Sequence, residues 1–346
     1  MNIYRQLADL PTPTAPVVAT IGNFDGVHLG HQGVIAEVID RARFLGGHSL
    51  AITFDPHPAR VLRPEQPLPL LTPLPQKLEL LEATGIDATL VLPFTDELRH
   101  MYSRDFARDI LLHRLHVTEV HEGENFRFGY QAEAGVSGPT GLEALGRELG
   151  FRVTVYAPRI VRGAPVSSSR IRSLIAAGDV NHARALLGRP FAVDSTPAPG
   201  RGYGTKYAVP TINLAPYPEL LPAHGVYITT LTIGGCPVQA PLGRDETPDL
   251  HSFEGAEVFE SVTNVGNRPT FGSDSFAVES HLLNFHPVEL TEQTALRLTF
   301  LRRLRAERPF PTVQDLRDQI ARDVTRSRRY FTLCHLLGGP LNQGNA

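Results

Sequence analysis

The chain has no tryptophan, two cysteines and, among its 33 basic residues, two lysines, Lys77 and Lys206. Each scarcity excludes something. Cys236 and Cys334 stand far apart with no CxxC, which rules out a disulfide framework and a cysteine-rich zinc site and fits a reducing, cytoplasmic setting. Neither lysine precedes Ser or Thr, so there is no GxxxxGK[ST] phosphate loop; GxGxxG and HExxH are absent too. Phosphate chemistry, if present, must use Arg, His, backbone amides and metal. No apolar run approaches the roughly 18–20 residues of a membrane span. Residues 1–16 hold one arginine and no apolar stretch of a secretory signal. A formal net charge of -3 argues against the basic face that nucleic acid requires.

What is present fits two globular domains. The chain has 346 residues, 42% of them hydrophobic, enough to bury real cores. Up to about residue 187, strand and helix signals alternate. Val17–Ile21, Ser49–Phe54, Ala88–Leu92, Thr118–His121 and Arg152–Tyr156 read as strands; Leu29–Phe44, Gln76–Ala83 and the spacing of Phe106, Ile110, Leu111 and Leu115 read as helices. This predicts βαβ units around a parallel sheet, with ligands beyond the carboxyl ends of the strands. From Arg189 short β-like runs take over, such as Gly225–Ile233 and Ala295–Phe300, predicting a small antiparallel barrel or sandwich. A last helix is expected from Thr312, its N-cap, to Tyr330, with Leu316, Ile320, Val324 and Tyr330 as its buried stripe. The domains are accordingly 1–187 and 188–338, with residues 339–346 a frayed tail.

Two strings concentrate chemistry. The first, Gly22-Asn23-Phe24-Asp25-Gly26-Val27-His28-Leu29-Gly30-His31, turns a strand into a helix. The helix start offers unpaired amides to an anion, His28 and His31 share a helical face, and Gly30 lets a ligand approach the backbone. Two imidazoles over such a turn suit a triphosphate, although a His pair alone also reads as a zinc pair or as two surface histidines. Asp25 either orients a histidine or caps the turn. His57, between two prolines, either lines a pocket or is structural. Ser167, Ser168 and Ser169 either donate to phosphate or cap the helix that starts there. The second string, Gly200-Arg201-Gly202-Tyr203-Gly204, leads into Val209-Pro210-Thr211-Ile212-Asn213, where alternate glycines let a backbone wrap a phosphate.

These strings resemble one family in order. HxGH is similar to the HIGH-type nucleotidyltransferases, and GNFDGVHLGHQ to the adenylyltransferase module of prokaryotic bifunctional riboflavin kinase/FAD synthetases. Thr53-Phe54-Asp55-Pro56-His57-Pro58, Gly123-Glu124-Asn125-Phe126-Arg127-Phe128-Gly129 and Val166-Ser167-Ser168-Ser169-Arg170-Ile171-Arg172 match its further motifs, with Ser169 in place of Thr. PTxN at Pro210–Asn213, Asn264–Gly272 and Glu279-Ser280-His281-Leu282-Leu283 resemble its kinase module. The resemblance spans about residues 15–332 but weakens after Leu283, where Leu-Tyr-Gly is missing. Asp245–Ala256 reads as an extra polar loop.

The resemblance implies an N-terminal Rossmann-like α/β nucleotidyltransferase domain and a C-terminal antiparallel β-barrel kinase domain with a terminal helix. It implies riboflavin phosphorylation to FMN and FMN adenylylation to FAD, both with ATP and Mg²⁺. His28 and His31 would then stabilise phosphates, with Gly22, Asn23, Phe24, Asp25, Gly30, Asn125, Ser167, Ser168, Ser169 and Arg172 as nucleotide contacts; for Asn125 turn chemistry is the other reading. Gly200 and Gly202 would bind phosphate, Thr211 and Asn213 would hold Mg²⁺, and Glu279 would be the base for the riboflavin hydroxyl. Riboflavin, FMN and ATP are the implied partners, without nucleic acid or membrane; the oligomeric state, homo-oligomer included, stays open. The alternative is an adenylyltransferase with weak or lost kinase activity.

Overall fold

The computed structural model describes residues 1–66, 68–124, 126, 139–198, 211–237, 255–267, 276–288 and 290–337. The chain divides into two units, Met1–Arg170 and Ile171–Ala346.

In the first unit β1 (Asn2–Tyr4), β2 (Val17–Ile21), β3 (His48–Asp55), β4 (Ala88–Pro93), β5 (Val117–Gly123) and β6 (Arg152–Tyr156) form one sheet. The order is β1-β4-β3-β2-β5-β6, and every neighbouring pair is parallel. Between the strands run α1 (Leu29–Leu45), α2 (Pro58–Leu62), α3 (Leu74–Glu82), α4 (Asp96–Arg99), α5 (Ser103–Asp105), a π-helical segment (Phe106–Arg114) and α6 (Pro139–Leu149). A hairpin, β7 (Ile160–Val161) and β8 (Ala164–Pro165), precedes α7 (Ser168–Ala176). All five β2 positions are buried because both its faces are covered. Val17, Ala19 and Ile21 pack with the π-helical segment and neighbouring strands, while Val18 meets Val38 and Ala42 of α1. The expected strands and helices are present to within a few residues. β1 and the hairpin are too short to show a periodicity, α6 is an additional helix with Leu142, Leu145 and Leu149 at helical spacing, and the segment from Phe106 winds as a π- rather than an α-helix.

The second unit continues with α8 (Val180–Leu187), which stops at Gly188 in the left-handed conformation, φ 78°. β9 (Phe191–Ser195), β10 (Thr211–Asn213), β11 (Gly225–Pro237), β12 (Glu257–Asn267), β13 (Phe276–Leu282) and β14 (Thr294–Ala306) follow. They form an antiparallel sheet in the order β10-β13-β12-β11-β14-β9. Its buried face carries a chain of hydroxyls that satisfy one another: Thr229 Oγ1 lies 2.7 Å from Ser261 Oγ and 2.6 Å from Thr263 Oγ1, and Thr263 donates to Ser280 at 3.0 Å. α9 (Val313–Leu336) closes the chain, capped by Thr312, whose Oγ1 accepts from Asp315 N at 3.1 Å. Among the described residues no helix is long and apolar enough to cross a membrane.

The stripe expected to bury α9 is corrected. Gln319, Asp323, Ser327 and Phe331 are its buried positions, while Leu316 and Ile320 are 39% and 48% exposed. Polar partners decide the rotation. Arg305 Nε donates to Asp323 at 2.8 Å, Arg308 Nη2 to Gln319 at 3.0 Å and Ser327 Oγ to the Asp323 carbonyl at 2.9 Å. The ion pair fixes the middle of the helix, and Phe331 packs with Ile228 and Leu301 nearer its C-terminus.

Candidate active sites

The turn after β2 is held in an unfavourable backbone. Phe24 (φ 45°) and Val27 (φ 36°) both lie in the left-handed region, a strain of about 1–3 kcal/mol each. Both side chains are buried with Ile35, Ile39, Leu81 and Ile86, and about 1.5–3 kcal/mol per buried large apolar side chain offsets that strain. Asp25, 1% exposed, anchors the turn. Its Oδ1 accepts from Leu71 N and Thr72 N, both at 3.0 Å, and Gly26 N donates to Thr72 Oγ1 at 3.0 Å.

His28 caps α1, its Nδ1 accepting the His31 amide at 3.3 Å. In a neutral ring that leaves Nε2 to carry the hydrogen and act as donor. The two imidazoles stack with centroids 3.6 Å apart and planes 13° from parallel, and Phe24 meets His31 edge-on at 5.3 Å. Gly30 makes room: a Cβ there would lie 3.1 Å from His28 Cε1. Gly30→Ala is therefore expected to lower the activity that depends on the histidine pair about 10- to 100-fold through misplacement of the ring. Alanine favours helix by up to about 1 kcal/mol over glycine, so the melting temperature should hold or rise, as paired activity and thermal-melting measurements would check.

The serine string joins this turn. Ser168 Oγ donates to the Asp25 carbonyl at 2.9 Å, and Ser167 Oγ accepts from Arg170 N at 3.3 Å, capping α7. The Arg170 guanidinium binds the Ala164 carbonyl at 3.0 Å. Ser169 and Arg172 lie on α7. Gly22, after β2, donates its amide to the Ile52 carbonyl at 3.0 Å, and Asn23 offers its carbonyl to Thr53 Oγ1 at 3.4 Å. His57 is buried and caps α2, its Nδ1 accepting from Ala59 N at 3.1 Å. Asn125 lies outside the described residues.

In the second unit the strand register does what sequence distance hides. β10 pairs with β13 so that Thr211 faces His281 and Asn213 faces Glu279, and Glu279 also faces Asn264 of β12. Directly opposed residues share a face, so PTxN, ExH and the start of the Asn264 motif converge. Thr211 Oγ1 is 3.3 Å from His281 Nδ1. Burial, reinforced by Arg328, holds the His281 ring below its ordinary pKa. A cleft of about 1170 Å³ opens over this face. Thr211, Asn264, Glu279 and His281 line one wall, and Leu316, Ile320 and Val324 of α9 the other; Asn213 is not among the lining residues. The apolar stripe of α9 thus faces the cleft. Gly266 is where Glu307 crosses β12: a Cβ there would lie 2.5 Å from its carboxylate. Gly200 and Gly202 lie outside the described residues, as does most of the expected 245–256 loop. Sequence reasoning placed His281 and Asn264 within matched motifs without giving them a role, and it missed the cleft face of α9. Pairing register reveals the first two; for the third, the buried polar partners of α9 were the only signal.

A turn with two stacked histidines at a helix start on a parallel sheet, and a carboxylate facing oxygen donors on an antiparallel sheet, are arrangements suited to the transfer of phosphoryl and nucleotidyl groups. Comparisons agree. Residues 11–170 match the FAD synthetase family model and residues 187–331 the riboflavin kinase model. The bifunctional riboflavin kinase/FMN adenylyltransferase of Pseudomonas fluorescens is 31% identical over 95% of this chain and 97% of its own. That of Escherichia coli (strain K12) is 29% identical over 96% and 99%. A solved structure described as a macrolide-efflux protein from Streptococcus pneumoniae shares the fold, with TM-score 0.74 and 21% identity over 94% of this chain and 98% of that one. The chain belongs to the bifunctional riboflavin kinase/FMN adenylyltransferase family and carries both activities, with ATP as substrate.

Proposed function

We propose that the two activities divide at residues 187/188, with adenylyl transfer at the β2–α1 turn and phosphorylation at the β10–β13 face; residues 339–346 take no part. In the first site an FMN phosphate oxygen attacks the α-phosphorus of ATP. The new P–O bond forms as the α–β bridge breaks and pyrophosphate leaves. His28 and His31 stabilise the charge that develops. The turn Gly22–Asp25, Gly30, Asn125, Ser167, Ser168, Ser169 and Arg172 bind the nucleotide. The hydroxyl of Ser168 on the Asp25 carbonyl supports this grouping. Turn, histidines and Arg172 supply positioning and charge, so no covalent intermediate is required.

In the second site Glu279 takes the proton of the riboflavin 5′-hydroxyl as that oxygen attacks the γ-phosphorus and ADP leaves. Gly200 and Gly202 cradle the phosphates. The apolar stripe of α9 receives the flavin ring, a pairing favoured by burial of apolar area. Thr211 and Asn213, alternate residues on one face beside Glu279, offer the hard oxygens that suit Mg²⁺. When bound, Mg²⁺ neutralises phosphate charge there. We infer too that the sheet closes into a barrel, supported by the Pro197–Leu214 bridge and by Ala198 N donating to the Asn213 carbonyl at 2.8 Å. The opposition of Asn213 and Glu279 across β10 and β13 carries this reading. To test it, riboflavin, ATP and increasing Mg²⁺ are incubated with the protein and the flavins separated chromatographically. Thr211→Ala is expected to raise the Mg²⁺ needed for half-maximal FMN formation about tenfold, the effect of losing roughly 1.4 kcal/mol of binding. An unchanged Mg²⁺ requirement would remove Thr211 from the metal site.

A further inference from the structure

Lys77 is a charged residue that neither reaction uses, and it is 3% exposed. A lysine buried so deeply is costly unless its charge is balanced. It sits on α3, and Leu71 and Thr72, in the segment that leads into that helix, donate their amides to the Asp25 carboxylate. Its Nζ is 3.5 Å from Thr53 Oγ1, and Thr53 Oγ1 is 3.4 Å from the Asn23 carbonyl. Burial pulls its pKa below the lysine value of 10.5, while Asp25 from the turn and Asp55 from the end of β3, the charged groups that face it, push it back up. The Asn23 carbonyl is thus joined to this ammonium through Thr53, and the Asp25 carboxylate acts on it through its charge.

We propose that Lys77 is a positioning residue for adenylyl transfer: its ammonium, acting through Thr53 and against Asp25, keeps the negative groups of the 22–28 turn drawn back and balanced so that the turn accepts a triphosphate. A turn that binds an anion yet contains a buried carboxylate repels its ligand unless a cation offsets that charge. Lys77 supplies it from behind, without touching the substrate. The inference rests on assigning adenylyl transfer to this turn. His28→Ala is therefore run in parallel: full activity in that variant defeats the assignment, whereas a loss there with no effect at Lys77 defeats only the inference.

The experiment uses the full chain and reads both reactions from one preparation. Lys77→Met is expected to lower kcat/KM for ATP in FAD formation at least about tenfold, chiefly through KM, a loss of one balancing charge. FMN formation from riboflavin should be unchanged. A purely structural role would not move the second readout, the pH profile. The unaltered protein should lose adenylylation on the alkaline side, below the ordinary lysine range, as Lys77 gives up its proton. Lys77→Arg, which holds its proton far higher, should remove that limb. Wild-type kcat/KM in Lys77→Met, or an alkaline limb unmoved in Lys77→Arg, overturns the proposal. If Lys77→Met does not fold, Lys77→Arg and Thr53→Val decide. Thr53→Val should raise KM for ATP, and an unchanged KM there together with an unmoved limb rejects the inference.

Discussion

Replacing His28 or His31 by alanine is expected to lower FAD formation about 100- to 1,000-fold, the range for removing one preorganised donor to developing charge. FMN formation from riboflavin should stay at the wild-type rate. The rings stack at 3.6 Å over the start of α1, so removing either also takes away the packing partner of the other. His28→Ala further removes the cap that receives the His31 amide, at about 1 kcal/mol of helix stability. That is too little to unfold a unit with the buried cores of the parallel sheet. Circular dichroism should therefore be unchanged, and the loss should appear in kcat more than in KM for FMN. Equal loss of both activities in a normally folded protein would defeat the assignment of separate sites.

The reciprocal expectation concerns Glu279. Glu279→Gln keeps the size and one oxygen of the side chain but accepts no proton at neutral pH. Phosphorylation of riboflavin should fall about 100- to 10,000-fold, the usual contribution of a positioned general base. KM for riboflavin should change little, and FAD made from supplied FMN should be unaffected. The residue is paired in register with Asn213 on one side and Asn264 on the other, so glutamine fits the same ladder position without breaking a backbone bond. Undiminished phosphorylation in this variant would leave Glu279 as an ordinary strand residue.

Individual residues show why some of this was legible in the chain and some was not. Val17–Ile21 could be read as a buried strand because both faces of a central parallel strand are covered, which leaves a short run rich in β-branched residues. The GNFDGVHLGH turn could be read because strand, glycines and histidines are contiguous. The α9 stripe was misjudged for the opposite reason. Apolar spacing shows that a helix is amphipathic, but not whether its apolar side meets the protein or a ligand cleft. Arg305 of β14, held to Asp323 of α9, made that choice.

The sequence by itself determined the two-part architecture, the helix-start turn with its two histidines, and the motifs that mark the chemistry, since each rests on neighbours along the chain. Only the tertiary structure decided which distant groups act on one another. It set Asn213 against Glu279, 66 positions away in the chain, through the β10–β13 register. It turned Leu316 and Ile320 toward the cleft. It buried Lys77 within reach of Thr53, whose hydroxyl meets the turn after β2. Register, burial and charge balance arise between segments far apart in the chain. A pattern of neighbouring residues holds no information about them until the segments have packed.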